Sequence, residues 1–145
     1  MSSKYYSYEK GIGNVGSYQI SGIPYATASF AVAAFGMPPS ELEFPYVTKF
    51  VTITNTNSGS NVPLRFGFSA LGVTGSNNSP GGTAGSDNYF VLDNGDSYTG
   101  EFRIKSLYLL SDTAETQTSA SVVAGLTGIS STQLSLNWTG STGVG

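Results

Sequence analysis

The chain has 145 residues, nineteen of them Gly, with 39% hydrophobic and 10% charged residues and a formal net charge of −3. That length implies one domain, and a domain of this size buries roughly 68–70% of the surface its unfolded chain exposes, so it can hold a core without staples. Zero Cys removes disulfides, zinc–thiolate sites and thiol nucleophiles; zero His removes the commonest general base and metal ligand; six scattered basic residues make no stripe for nucleic acid.

Residues 1–17 are polar, Gly-rich and carry three Tyr, and they read as an extended N-terminal arm. They contain no apolar segment of the kind a signal peptide needs, and no run of about 18 apolar residues predicts a membrane span. Residues 18–140 read as the β domain and 141–145 as a C-terminal tail. Within the domain, YQIS (18–21) is a short strand broken by Gly22-Ile23-Pro24. ATASFAVAAF (26–35) follows, with Ala28, Phe30, Val32 and Ala34 on one face. MPPSELEFP (37–45) reads as a connector with room for one helical turn at most.

YVTKFVTITNT (46–56) is β-branched and alternates, with Val47, Val51 and Ile53 on one face. VPLRFGFSALG (62–72) alternates too, setting Leu64, Phe66 and Phe68 against Arg65, Gly67 and Ser69, and the pair predicts a hairpin. The stretch 73–88 has almost no apolar residue and predicts a long surface loop. Asn94-Gly95, between two apolar runs, predicts a type I′ hairpin leading into one strand over 98–110, solvated on one side early and covered on both sides late. On that strand Phe102, Ile104, Tyr108 and Leu110 share the buried face. TSASVVAGLTGI (118–129) places Ala120, Val122, Ala124 and Leu126 in register, and QLSLNWTG (133–140) reads as a last strand with Trp138 inward and Asn137 outward. About eight strands and no helix predict an all-β, antiparallel β-sandwich, jelly-roll-like, with an eight-stranded barrel as the competing architecture.

Residues that carry chemistry are few. Asp87, Asp93, Asp96 and Glu101 are the nearest approach to a catalytic or calcium-binding set, but Asp93 and Asp96 bracket a tight turn, where Asp serves the backbone. No catalytic residue, no metal and no cofactor is expected, and the chain reads as no enzyme. The sequons at Asn77 and Asn137 are expected to be idle. Nine Tyr, eight Phe and one Trp are left to explain. Phe66, Phe68, Phe102 and Trp138 sit at core positions, whereas Tyr5, Tyr6, Tyr8, Tyr18, Tyr25 and Tyr46 gather early in the chain beside Lys10. Tyrosine-rich polar surface points to a protein interface before a sugar site.

Four stretches, KGIGNVGSYQISGIPYATAS (10–29), ELEFPYVTKFVTITN (41–55), LRFGFSALGV (64–73) and AGLTGI…LNWTGSTGVG (124–145), together resemble one family. It comprises small virion structural proteins of tailed bacteriophages and other large double-stranded DNA viruses, mostly marine. The resemblance spans nearly the whole chain, and its strength lies in the order of the words. It implies a minor capsid, cement or decoration subunit, assembled in the host cytoplasm and located in the virion. The partners it implies are the major capsid protein or other virion proteins, and further copies of itself, a trimer among the options, with no nucleic acid and no membrane. The alternative expectation is a host-facing fibre or spike module that binds surface glycans.

Overall fold

The computed structural model describes residue 12 and residues 22–75, 85–134 and 137–145. Eight strands follow in chain order: β1 (Ile23–Val32), β2 (Ser40–Glu43), β3 (Tyr46–Asn55), β4 (Leu64–Gly67), β5 (Tyr89–Leu92), β6 (Ser97–Gly100), β7 (Ser106–Ser111) and β8 (Thr118–Ser130). Among the described residues a short helix, α1 (Ala70–Thr74), and a 3-10 turn (Ser131–Gln133) accompany them.

The strands form two four-stranded antiparallel sheets, ordered β1-β8-β3-β6 and β2-β7-β4-β5. The pairing has a simple logic. β1 pairs with β8, β2 with β7, β3 with β6 and β4 with β5. The chain is thus one long hairpin, doubled back between β4 and β5. It is then rolled, so that β3 also meets β8 and β4 also meets β7. The all-β sandwich of eight strands stands as predicted. Each sheet keeps two edges, so the barrel is not formed.

Between the sheets lie Val51 and Ile53 of β3 and Ala120, Val122, Ala124 and Leu126 of β8, facing Leu64, Phe66, Leu107 and Leu109 of the second sheet. All are buried, and each large apolar side chain among them contributes about 1.5–3 kcal/mol on burial. The alternation read in β3 and β8 is therefore the alternation of the core.

Elsewhere the structure departs from the sequence reading. β1 starts at Ile23 rather than 26 and runs through Pro24, which an edge strand tolerates. A register shift between Thr27 and Phe30 reverses its phase. Tyr25 therefore packs on the core before the shift and Phe30 after it, while Ala28, predicted inward, is exposed. The expected connector holds β2, paired along its length with β7.

Neither predicted hairpin exists. β3 and β4 lie in different sheets, and so do β5 and β6. The Asn94-Gly95 turn is tight, with the Asp96 N–H donating to the Asp93 carbonyl at 2.9 Å. Of its two central residues Gly95 alone has positive φ, +82°, as a type II turn requires and a type I′ turn does not. It carries the chain across the sandwich rather than back along one sheet.

The single strand expected over 98–110 is split for the same reason. β6 ends at Gly100 in one sheet and β7 begins at Ser106 in the other. The bend between them resets the phase, so Leu107 and Leu109 join Ile104 in the core. Tyr108 is half-buried on the opposite face and Phe102 is only partly buried. That β7 is covered on both faces does hold. Its outer face lies under α1, a helix absent from the sequence reading, which Ser69 caps by accepting the Gly72 N–H at 2.9 Å.

Of the strand expected over 133–140, residues 133–134 and 137–140 are described, and they lie in turns and not in a strand. Asn137 and Trp138 have φ of 45° and 65°, the left-handed region that a strand excludes. The last residues fold back on α1, where the Ser69 hydroxyl donates to the Val144 carbonyl at 2.7 Å. The expected arm, residues 1–17, and the strand 18–21 lie outside the described residues apart from Ile12, whose N–H donates to Gln133 Oε1 at 3.2 Å.

Candidate functional site

Of the tyrosines singled out as interface residues, Tyr5, Tyr6, Tyr8 and Tyr18, with Lys10, lie outside the described residues. Tyr25 is half-buried, with its ring edge-on to Phe44 at 5.1 Å between centroids, so it serves the core as well as the surface. Tyr46 is exposed at the start of β3, opposite Ser130. The structure does not gather these two into one patch.

What it does gather is a surface no sequence window displays, the outer face of the first sheet. Register places residues from different strands in rows across it. One row runs Ala26, Val123, Thr52, Thr99; the next runs Ser121, Thr54, Ser97. Hydroxyls couple within the rows: Thr52 with Thr99 at 2.8 Å, Thr54 with Ser97 at 2.6 Å, and beyond them Thr56 with Ser119 at 3.0 Å. At the other end the Phe50 ring covers Gly125, where a Cβ would stand 2.3 Å from it. Aromatic cover of a strand glycine restores the packing its missing side chain gives up. None of these residues is charged. In all four strands of the sheet Lys49 is the one charged residue, and it sits in the bulge between Thr48 and Phe50.

The second sheet carries the charges. Arg65, on β4, is buried. Its Nε donates to Asp112 Oδ1 at 2.5 Å and its Nη1 to the Thr74 carbonyl at 3.1 Å, at the end of α1. Its guanidinium lies 4.1 Å from the Tyr89 ring centroid and 4.9 Å from that of Phe35. This is a clamp that fixes α1 on the outer face of the sheet, since one planar group reaches a carboxylate, a carbonyl and two ring faces at once. On the β2–β7 ladder the Tyr108 hydroxyl donates to Glu41 Oε1 at 3.0 Å. Burial, reinforced by the Glu41 carboxylate, pushes the Tyr108 phenol up from its ordinary value.

The residue that sequence reasoning most misplaced is Asn137. Expected to face outward, it is 3% exposed. Its Oδ1 accepts from the Lys105 N–H at 2.8 Å and the Ser106 N–H at 3.4 Å, and its Nδ2 donates to the Phe68 carbonyl at 2.7 Å and the Ser106 carbonyl at 3.1 Å. β4 ends one residue before Phe68, and the Asn137 amide takes the place of the missing peptide beside β7. The only sequence signal for this was Asn in a Gly-rich stretch, since Asn tolerates left-handed backbone. Beside it, Trp138 donates from Nε1 to the Arg103 carbonyl at 2.6 Å, and the Arg103 guanidinium covers its ring at 4.6 Å. With Phe68, Phe102, Ile104 and Glu101 they line an open hollow of about 310 Å³.

The acidic set is dispersed. Asp93 and Asp96 flank the turn, both exposed, and Glu101 follows β6. Among the described residues no three His, Cys, Asp or Glu side chains are placed to hold a metal ion. No helix among them is long and apolar enough to cross a membrane. Compared with known proteins, the chain matches no family model and no curated protein.

Proposed function

We propose that the chain is a structural subunit of a viral particle, a minor capsid, cement or decoration protein that acts through protein contacts and not through catalysis. The observation that carries this reading is the strand order. Two sheets ordered β1-β8-β3-β6 and β2-β7-β4-β5 are a rolled hairpin of eight strands, and we read it as a jelly roll, an architecture used by viral shell proteins and by lectins. That step is an analogy of architecture. The resemblance of its sequence words, in their order, to those of small virion proteins is a second support for this reading. A sandwich with one face poor in charge suits a part repeated many times on a shell, where weak contacts gain strength from effective concentration.

The hollow at Trp138 favours a second reading, a glycan-binding module, because exposed aromatic surface beside a carboxylate and a guanidinium is the chemistry that holds sugars. Against it, the Arg103 guanidinium already occupies a face of the Trp138 ring. Mass spectrometry of purified particles, with a glycan array on the isolated chain, separates the two. A shell subunit appears in assembled particles at a fixed ratio to the major capsid protein and binds no glycan. Absence from particles together with selective glycan binding that is lost in Trp138→Ala overturns the structural reading.

A further inference from the structure

The uncharged face of the first sheet raises a question the monomer does not answer. In the middle of its central strand β8, Val123 is 45% exposed. A sheet with one solvated face ordinarily places polar residues there. We propose that this face is a self-docking surface, on which a second copy of the chain packs face to face about a two-fold axis.

The charge distribution selects the occupant. A partner rich in charged side chains would have to strip them of water against strands whose one charged residue is Lys49, with little to repay the desolvation. A surface that fits is one equally poor in charge, and among the described residues this face, whose strands carry Lys49 alone, is such a surface. A two-fold axis sets it against itself.

The hydroxyls point the same way. Each Ser or Thr hydroxyl is both donor and acceptor and turns to suit its neighbour. The pairs Thr52–Thr99 and Thr54–Ser97 can therefore meet their own copies in matched orientation. A row of carboxylates or ammonium groups could not. Val123 supplies an apolar centre, with Ala26 beside it in the same row.

Size sets the strength. Twice a strand rise of about 3.4 Å, times a strand spacing of about 4.8 Å, gives each outward position roughly 33 Å², and the whole face roughly 400–450 Å² per copy. That is about half the roughly 800 Å² per partner of a standard interface, so the association is expected to be weak and concentration-dependent. The rival apolar surface is the edge at Phe90 and Val91 on β5, but the Phe90 ring already packs against Phe66 and Tyr98, with centroids at 5.7 and 5.6 Å. The proposal stands apart from the virion reading, since a chain that self-associates need not belong to a particle.

Sedimentation velocity on the full chain, from about 1 to about 300 µM, tests it. The weight-average mass of the unmodified protein should rise from 15.1 kDa toward twice that value. Val123→Lys should hold it at the monomer value across the range, at unchanged circular dichroism. Thr99→Lys, on the exposed edge strand of the same face, should do the same and serves if Val123→Lys does not fold. Val91→Lys should leave the association intact. A monomer at every concentration overturns the proposal. So does association that survives both lysines on the first sheet, or that is lost in Val91→Lys.

Discussion

Replacing Asn137 should unfold the protein more readily than its place in a turn suggests. Its amide makes four hydrogen bonds to backbone groups, two of them short, at 2.7 and 2.8 Å. In Asn137→Ala the Lys105 N–H and the Phe68 carbonyl lose those short bonds inside a buried site, at about 1–2 kcal/mol each. Left-handed backbone adds about 1 kcal/mol, because Ala tolerates φ of 45° less well than Asn. The expected loss is therefore about 3–5 kcal/mol, a large share of the 5–15 kcal/mol typical of a domain. Asn137→Gly removes the same bonds but not the backbone freedom, and should be milder than the Ala variant by about 1 kcal/mol. Asn137→Asp keeps the acceptor but turns a carboxylate toward the Phe68 and Ser106 carbonyls, so it should be at least as damaging as Ala. Urea titration by fluorescence and circular dichroism measures all three. A loss under about 1 kcal/mol for Asn137→Ala, at an unchanged denaturant slope, would mean that water replaces the amide and that the clamp is not structural.

Other substitutions test other parts of the fold. Arg65→Lys should cost about 2–3 kcal/mol in the same titration, because an ammonium cannot serve Asp112, the α1 carbonyls and two rings together; a neutral result refutes the clamp. Leu107→Ala should cost about 2–5 kcal/mol and more than Phe102→Ala, since Leu107 is fully buried and Phe102 is not. Gly95→Val should destabilise by about 1–2 kcal/mol through its positive φ alone, no atom lying within 4 Å of the added Cβ, while Asp96→Asn should be nearly neutral in thermal melts. Tyr108 tests the pH dependence. Its phenol titrates higher in the folded state than in the unfolded chain, so its contribution is whole below the unfolded pKa and is lost as pH rises through the folded one. Denaturation midpoints above about pH 10 should fall less steeply in Tyr108→Phe than in the parent protein, with the two curves parallel near neutrality.

What the sequence disclosed follows from how far each signal reaches. β3 and β8 were legible because they lie between neighbours on both edges, with one face in the core, so every second residue had to be apolar. β2 was not, because an edge strand of four residues needs a single inward side chain, Leu42, to hold its place. Asn-Gly announced a tight turn correctly, yet a turn fixes local angles and not which sheet the next strand enters. Partner choice depends on packing between residues far apart in the chain, so both predicted hairpins failed and the strand expected over 98–110 divided between the sheets, while β3, β4 and β5 formed within their predicted runs. The candidate face was illegible for the same reason. Thr52, Thr99 and Val123 become one surface only when β3, β6 and β8 lie side by side. Asn137 was hidden because its task is to stand in for a peptide of another segment.

The rolled hairpin also constrains the order in which the chain can find itself. Pairing β1 with β8 directly would close most of the domain as one loop, and loop closure costs entropy before any contact repays it. Starting where β4 meets β5 shortens every later step. Once that tip exists, the short segments from Asn55 to Leu64 and from Leu92 to Ser97 are all that separate it from the β3–β6 pair. β2 with β7 and then β1 with β8 close outward in turn, like a zip drawn from its fold to its free ends. Damage near the tip should therefore slow refolding, whereas damage to the β1–β8 ladder should mainly quicken unfolding. The surface finished last is the one beside the chain's two outermost strands. The proposed docking face includes both of them, so a copy would become adhesive only when its folding is complete.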